Sequence, residues 1–282
     1  MKKAAGRRRM VVILYGKGGV GKTTVSSHLA AQYARDGRKV LLLGCDPKTD
    51  TSTRFLDGKK PPTMLDLVEG RLARRFSELL TRTPAGVDVM ETGGPEPGVG
   101  CGGRGVATLC QFLEEHPREL SSYDAVVFDV LGDLVCGGFV APLRFGKGNC
   151  VFIVSSEEPA SLFAANNIAR MTRRPYYDAA SVGGVIFNLR RNDAPREHLV
   201  AFARRLRVGI VGALERDRTV MEAEERGMTA LAYAPRSPAA KQFAEIAAAV
   251  ERACLAKKAV KASPMTNDEF WAFVRRHRIA SL

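Results

Sequence analysis

The fold is decided by the stretch Gly16-Lys17-Gly18-Gly19-Val20-Gly21-Lys22-Thr23, which lies between an apolar run, Val11–Tyr15, and a helical pattern from Thr24 to Arg35. The octapeptide fits Gly-x-x-x-x-Gly-Lys-Ser/Thr, the pattern of a phosphate-binding loop, and the flanking strand and helix are the context that this motif needs. Its glycines let the backbone approach phosphate oxygens, and the N–H groups at the helix start face that negative charge. We therefore predict a nucleotide site in which Lys22 reaches the terminal phosphates and Thr23 ligates Mg²⁺.

The rest of the chain repeats the same alternation of apolar runs and helical patterns. The runs are short and rich in β-branched residues: Val11–Tyr15, Val40–Leu43, Val87–Met90, Ala125–Val130, Val151–Val154, Val182–Phe187 and Val208–Val211. This alternation predicts an α/β protein with a single doubly wound, mostly parallel sheet and helices on both faces. Ligands of such sheets bind beyond the carboxyl ends of the strands. The one obvious loop, dense in glycine and proline, runs from Thr92 to Gly105.

Carboxylates follow two of the predicted strands. Asp46 and Asp50 come after the second apolar run, and Asp129 and Asp133 come at the end of the fourth. A carboxylate at a strand end beside a phosphate loop can hold the Mg²⁺ shell or position the attacking water, and Lys48 is a candidate contact to phosphate or to a partner. Asp133 keeps an alternative role, because strand-end aspartates often cap helices or turns.

Lys17 narrows the class of nucleotide-binding protein. A lysine directly after the first glycine is typical of the deviant Walker A loop, and the loop resembles that of dimeric ATPases such as the nitrogenase iron protein, the partition and cell-division ATPases and the arsenite pump ATPase. The resemblance implies that Lys17 reaches across a dimer interface to the nucleotide of the other subunit. There its charge would meet the charge that develops on the transferring phosphoryl group. The alternative is a solvated loop lysine.

Two of the six cysteines lie in loops built from glycine, Cys101 in Gly100–Gly103 and Cys136 in Val135–Gly138. The six form no zinc-like pair, and the others are expected to be buried small hydrophobes. Glycine neighbours let backbone amides donate to sulfur, which stabilises a thiolate ligand. Two thiolates cannot complete a four-cysteine [4Fe–4S] site, but a symmetric dimer would supply four. The alternative is a buried cysteine pair without a redox role.

Motifs along nearly the whole chain resemble, in order, those of the nitrogenase iron-protein family. They are Tyr15–Gly19, Gly44–Lys48, Gly93–Cys101, Asp129–Asp133, Val135–Phe139, Ala164–Ile168 and Pro264–Glu269. The glycine-rich cysteine loops are specific to this reductase branch of the dimeric ATPases and are absent from partition and cell-division ATPases.

The resemblance implies a homodimer with one bridging [4Fe–4S] cluster, held by Cys101 and Cys136 of each subunit. Each subunit would bind one MgATP along the stretch from Gly16 to Thr24, with Asn188 contacting the adenine. Arg104 matches an arginine on the partner-docking face, which is ADP-ribosylated in some members of the family. The residues expected to act in ATP hydrolysis are Lys17, Asp46, Asp50, Asp129 and Asp133.

The implied function is that of an ATP-dependent electron donor. Single electrons would pass from the cluster to a heterotetrameric catalytic component, and a low-potential ferredoxin or flavodoxin would supply them. ATP binding and hydrolysis would rearrange the segments Asp46–Asp50 and Asp129–Asp133, the second of which runs into Cys136. The chain then divides into a basic tail, 1–10, a P-loop ATPase and iron–sulfur domain, 11–262, and a C-terminal segment, 263–282.

The C-terminal segment predicts an amphipathic helix. Thr266 and Glu269 have the spacing of a capping box, and aromatic residues alternate with arginines after them. Such a helix could lie on a membrane or pack its apolar stripe on its own dimer or domain, and we favour packing on the dimer.

The net charge of the chain does not identify its binding partner. The formal net charge is +13, which fits an acidic partner or simply a solvated surface, and no nucleic-acid partner is predicted. No stretch approaches the ~20 apolar residues of a membrane span, and the basic start lacks the apolar segment of a secretory signal. We expect a cytoplasmic protein.

Departures from the family pattern favour a nitrogenase-like reductase over the nitrogen-fixing iron protein itself. The chain is strongly basic, and Leu214–Asp217 has leucine and glutamate where the iron protein has a proline before Arg-Asp. Methylthio-alkane reductase and the tetrapyrrole reductases are the candidate systems, with the nitrogenase iron protein proper as the alternative. Two more distant hypotheses for the function are a partition or cell-division ATPase and a cluster-assembly scaffold.

Overall fold

A parallel sheet runs through the centre of the computed structural model, which describes residues 9–95, 102–132, 137–145, 150–177, 180–256 and 260–279. Within this part of the chain the sheet has eight strands in the order β3-β4-β2-β5-β1-β6-β7-β8, and only β3 is antiparallel to its neighbour. The strands are β1 Met10–Tyr15, β2 Val40–Gly44, β3 Thr81–Arg82, β4 Val87–Glu91, β5 Ala125–Asp129, β6 Cys150–Ser155, β7 Ser181–Asn188 and β8 Ile210–Leu214.

Helices connect the strands and cover both faces of the sheet. They are α1 Lys22–Arg35, α2 Thr53–Leu56, α3 Met64–Val68, α4 Phe76–Leu79, α5 Gly102–Glu115, α6 Pro117–Leu120, α7 Pro159–Met171, α8 Glu197–Leu206, α9 Arg218–Glu225, α10 Ala230–Tyr233, α11 Pro238–Leu255 and α12 Asn267–Arg276, with 3-10 helices Gly137–Arg144 and Pro175–Tyr177. None of these helices is both long and apolar enough to span a membrane.

Two apolar cores form because successive residues of a strand point to opposite faces of the sheet. In β1, Val11 and Ile13 belong to the core that α5, α7, α8 and α12 cover. Val12 and Leu14 belong to the core beneath α1 and α11. Strands buried on both faces must be apolar throughout, which is why they read as continuous runs. The predicted doubly wound α/β fold is confirmed.

Strand register brings the carboxyl ends of four strands together. Asp129, the last residue of β5, pairs with Leu14 of β1 on one side and with Gly44 of β2 on the other. Gly44 in turn pairs with Glu91, the last residue of β4. Because parallel strands end at the same edge, the loops that follow β1, β2, β4 and β5 meet there, and this edge carries the candidate site.

The bounds of the last strand and of the glycine-rich loop differ most from those expected. The last strand begins at Ile210 rather than Val208, because Arg207 adopts a left-handed conformation (φ 56°) and Val208 donates its N–H to Ala203 O, so both belong to the end of α8. The loop expected up to Gly105 ends earlier, since α5 begins at Gly102. The two-residue strand β3 was not predicted from the sequence, being too short to show a period.

The C-terminal helix α12 packs on the chain's own core. Its capping box is present: Glu269 N–H donates to Thr266 Oγ1 (3.2 Å), and Thr266 N–H donates to Glu269 Oε2 (2.8 Å). Phe270 is fully buried and stands edge-on to Phe163 of α7, with ring centroids 5.1 Å apart. Packing of this helix across a dimer stays a prediction.

Candidate nucleotide and cluster site

The phosphate loop joins β1 to α1 in the geometry of an anion-binding turn. Gly21, the N-cap of α1, has φ 93°, a conformation that favours glycine, and it offers no side-chain cap to the helix N-terminus. A phosphate is the group that the N–H groups of such a helix terminus bind. Lys22 Nζ donates to Lys17 O across the loop at 3.1 Å, which places its charge over the turn.

Gly132 holds this loop in place from the neighbouring segment after β5. A Cβ on Gly132 would lie 2.4 Å from Gly16 O and 2.5 Å from Gly18 N, so the two backbones touch and only glycine fits. This glycine lies within the motif Asp129–Asp133, whose sequence does not predict the contact. Its contact depends on β1 and β5 being neighbours, which no local pattern reveals.

A cavity of about 320 Å³ opens above the phosphate loop and is lined by most of the predicted nucleotide-site residues. Its lining is Gly18, Gly19, Gly21, Lys22, Thr23, Asp46, Lys48, Asp50, Asp129, Val130 and Leu131. The structure thus brings Asp46 and Asp50, from the loop after β2, into one space with Asp129, the last residue of β5. Lys17 does not line the cavity of its own chain.

Asp129 and Asp50 are the acidic groups that fit a Mg²⁺ ion best. Asp129 is 3% exposed, its Oδ2 accepts a hydrogen bond from Thr51 Oγ1 at 2.8 Å, and burial raises its pKa. Burial and the nearby Asp46 raise the pKa of Asp50 too. Among the described residues, Oδ1 of each carboxyl is buried without a hydrogen-bond partner. Oxygen donors left in this way suit a hard cation that keeps several waters and phosphate ligands.

Glu91 is a buried carboxyl that sequence reasoning missed. It is fully buried at the end of β4, and its Oε1 accepts the N–H of Ser52 at 2.8 Å. Its Oε2 lies over Gly44, where a Cβ would come within 1.8 Å, and has no partner in the part of the chain that the structure covers. Burial raises the pKa of Glu91 to about 8. The strand-end rule that identified Asp129 would have identified it.

A second cavity, of about 140 Å³, lies between Thr24 in the first turn of α1 and residues of β8 and α11. Asn188 lies at its border, where its Nδ2 donates to Val20 O (2.8 Å), and Arg190 Nη2 donates to Gly19 O (2.6 Å). The cavity is lined by Thr24, Asn188, Leu189, Arg190, Leu214, Glu215, Arg216, Asp217, Val220, Met221, Ala239, Gln242 and Phe243. An adenine-sized base would fit this position beside Asn188 and Thr24. The walls from α9 and α11 were not predicted.

The cluster side of the site is described only through its neighbours. Cys101, Cys136 and Asp133 lie outside the described residues. The helices that begin directly after the two cysteines do touch, since a Cβ on Gly138 would lie 2.0 Å from Gly103 O. Thiolates are the donors that iron–sulfur clusters use, so the residue types fit the group. Arg104 is exposed in the first turn of α5 and borders a cavity of about 320 Å³ beside α3.

The fold is shared with ATPases of known structure. The septum site-determining protein MinD from Pyrococcus horikoshii, complexed with Mg-ADP, superposes with a TM-score of 0.70 at 21% identity, over 89% of this chain and 99% of that one. The cell-division ATPase MinD of Pyrococcus furiosus superposes with a TM-score of 0.69 at 21% identity, over 86% and 98%. At this identity the likeness shows the fold alone.

Sequence comparison is more specific. The nitrogenase iron protein 2 of Methanothermobacter thermautotrophicus is 41% identical over 268 residues, which cover 95% of this chain and 98% of the relative. A family model described as 4Fe-4S iron sulfur cluster binding proteins, NifH/frxC family, matches residues 10–280. The chain therefore belongs to the NifH/frxC family of 4Fe-4S iron–sulfur cluster-binding proteins.

Proposed function

We propose that this chain is the electron-donating component of a nitrogenase-like reductase in the cytoplasm, a homodimer that passes single electrons to a separate catalytic protein as it hydrolyses MgATP. The proposal rests on the position of the chain from Asp129 to Gly132 beside the phosphate loop. Asp129 lies in the phosphate cavity, Gly132 touches the phosphate loop, and the same short segment then leads to Cys136. A nucleotide-dependent movement of that segment would therefore act directly on a cluster ligand.

The proposed roles in hydrolysis follow from the cavity. The N–H groups of Gly18 to Thr23 and the Lys22 ammonium would hold the phosphates, and Thr23 would ligate Mg²⁺. Asp50 and Asp129 would hold waters of the metal shell or orient the attacking water, with Asp46 and Lys48 at the cavity wall. Asp133 would take part in ATP hydrolysis together with these carboxylates. Lys17, which does not line its own chain's cavity, would serve the partner's nucleotide, as its place in the deviant Walker A loop implies.

For the cluster, Cys101 and Cys136 of each of two subunits would supply four thiolates. Such a cluster contributes one-electron redox chemistry when bound. The chain itself would hold the thiolates and keep α5 in contact with the 3-10 helix Gly137–Arg144, at Gly103 and Gly138. We further propose that the segment 263–282 packs on the dimer. We keep the division into a basic tail, 1–10, and a domain, 11–262, except that Met10 is the buried first residue of β1 and so belongs to the domain.

The partner we propose is a heterotetrameric catalytic component that docks near Arg104, with a low-potential ferredoxin or flavodoxin as the electron source. We favour a nitrogenase-like system, of the methylthio-alkane or tetrapyrrole reductase type, because of the basic surface and Leu214–Asp217. The nitrogenase iron protein proper is the second candidate, supported by the 41% identity to such a protein. Reduction of dinitrogen, a methylthio-alkane or a tetrapyrrole with each matching catalytic component would decide between them.

The test of the reductase itself is anaerobic iron analysis with electron paramagnetic resonance of the dithionite-reduced protein, with and without MgATP. We expect about four irons per dimer and a spectrum that nucleotide changes. Cys101→Ser should lose the iron, whereas Cys110→Ala, in the buried core of α5, should keep it. A wild-type protein that holds no iron after reconstitution would refute the proposal.

A further inference from the structure

The turn that follows β2 has two faces. Thr49 N–H donates to Asp46 O (3.1 Å), and Lys48 N–H donates to Asp46 Oδ1 (3.0 Å), so the four residues 46–49 form a closed turn with Pro47 at its second position. Thr49 has φ 57°, an uncommon conformation for a β-branched residue. Asp46 and Lys48 line the phosphate cavity. The polar face of the turn therefore meets the nucleotide site.

Pro47 lies on the opposite face and fills the space of two absent side chains. A Cβ on Gly94 would lie 2.2 Å from Pro47 Cβ and 2.9 Å from Pro47 Cα. A Cβ on Gly102 would lie 2.7 Å from Pro47 Cγ. The pyrrolidine ring is thus in contact with the backbone at both glycines, and neither could carry a side chain without displacing it.

These two glycines flank one short segment of the chain. Gly94 precedes residues 95–101, and Gly102 follows Cys101 directly and begins α5. Pro47 therefore touches the chain just before and just after the segment that carries one of the proposed cluster ligands. A second attachment lies close by, where Ser52 N–H donates to Glu91 Oε1, at the strand end that leads to Gly94.

We propose that Pro47 is a positioning residue that transmits nucleotide binding to the segment carrying Cys101, an inference that rests on the proposed reductase function. The turn can respond to phosphate and Mg²⁺ through Asp46 and Lys48. Proline has a fixed φ and a rigid ring, so a displacement of the turn moves the ring as a body rather than being absorbed by side-chain rotation. The contact at both ends of the segment passes that displacement to the cluster side. This route is separate from the one through Asp129, Gly132 and Cys136.

The test compares the iron-loaded wild type with Pro47→Gly, which removes the ring and Cβ. The readout is the rate at which an iron chelator removes iron with MgATP, divided by the rate without nucleotide, and MgATP affinity is measured separately by titration. We expect the affinity to stay within about threefold and the ratio to fall at least about fivefold, the scale of a typical coupling between two sites. An unchanged ratio, or a wild type whose rate ignores MgATP, would overturn the inference.

Steric rescue tests the contacts independently of the cluster. Gly102→Ala should lower the thermal midpoint of the wild type but not of Pro47→Ala, because the clashing atom is Cγ, which alanine lacks. Gly94→Ala should lower it in both backgrounds, because Cβ and Cα remain. Gly209→Ala is the matched control, since nothing lies within 4 Å of that position. Equal effects of Gly102→Ala in both backgrounds would refute the contact.

Different results would refute the proposed function and the role of Pro47. A wild-type protein without iron would refute the proposed function itself. An iron-bearing wild type whose iron release responds to MgATP, with Pro47→Gly responding equally, would refute the role of Pro47 and leave the proposed function standing.

Discussion

The buried Glu91 predicts a pH-dependent stability that one substitution should abolish. Its carboxyl is fully buried, with only Ser52 N–H as a hydrogen-bond donor among the described residues, and burial raises its pKa to about 8. Glu91→Gln keeps the shape and the acceptor for Ser52 but carries no titrating proton. The variant therefore isolates the cost of ionising this carboxyl inside the protein.

The sign and size of this pH dependence of stability follow from proton linkage. The folded protein keeps the proton up to about pH 8, whereas the unfolded chain releases it near the ordinary value of 4.5. Between those values the folded state binds one proton more, so the free energy of unfolding falls as pH rises, by about 1.4 kcal/mol per pH unit. From pH 5.5 to 7.5 the loss is about 3 kcal/mol, or about 5–10 °C in thermal midpoint for a chain of this size.

Anaerobic thermal melts in nucleotide- and magnesium-free buffer would measure this pH dependence of stability. The midpoint of Glu91→Gln minus that of the wild type should increase by about 5–10 °C between pH 5.5 and 7.5. Glu78→Gln, an exposed substitution in α4, should give a flat difference. A flat difference for Glu91→Gln as well would show that Glu91 is ionised in the folded protein and that the reasoning from burial is wrong.

Further substitutions probe other contacts. Gly132→Ala should weaken MgADP binding by about tenfold or more in calorimetric titration, because its Cβ would overlap Gly16 O. Asn166→Ala should cost about 2 kcal/mol or more in stability and expose α12 to limited proteolysis, since both its hydrogen bonds to the Met265 backbone are lost. His28, whose pKa burial lowers to about 3, should make the wild type lose about 1.4 kcal/mol per pH unit below pH 6.5, and His28→Gln should flatten that slope in thermal melts.

Each of these has a matched comparison. Gly209→Ala, at a position with open space, should leave MgADP affinity unchanged, and equal affinities for it and Gly132→Ala would contradict the close approach. Asn192→Ala, at an exposed position, should not affect the protease sensitivity of α12. An acid slope that survives His28→Gln would mean that other groups govern acid stability.

Local patterns were sufficient to predict the fold class, and the family resemblance of the motifs was sufficient to predict the family and the cofactors. The apolar runs predicted the parallel sheet because strands covered on both faces must be apolar throughout, and the octapeptide Gly16–Thr23 identified the nucleotide loop. The predictions of a doubly wound α/β fold, of the nitrogenase iron-protein family, and of a [4Fe–4S] cluster with MgATP are confirmed. The individual site residues stay predictions, among them Cys101 and Cys136.

What sequence reasoning missed depends on which strands are neighbours. Gly132 needs β5 beside β1, and the burial of Glu91 needs β4 beside β2, an order that periodicity does not specify. The late start of β8 depends on the helix end at Arg207, where a non-glycine residue takes a left-handed conformation that sequence statistics would not favour. Long-range packing and backbone strain, rather than composition, account for these differences.

The close backbone packing around the phosphate loop has a consequence for redesigning nucleotide preference. A side chain at Gly16 would meet Val154 O at 2.2 Å, and one at Gly132 would meet Gly16 O at 2.4 Å, so backbone contacts fix the triphosphate half of the site at these two positions. The base half is walled by side chains, among them Glu215, whose carboxylate pairs with the Arg196 side chain, and Met221, which is exposed. Selection for altered base specificity should therefore yield its substitutions along α9 and α11 and leave the glycine loop untouched.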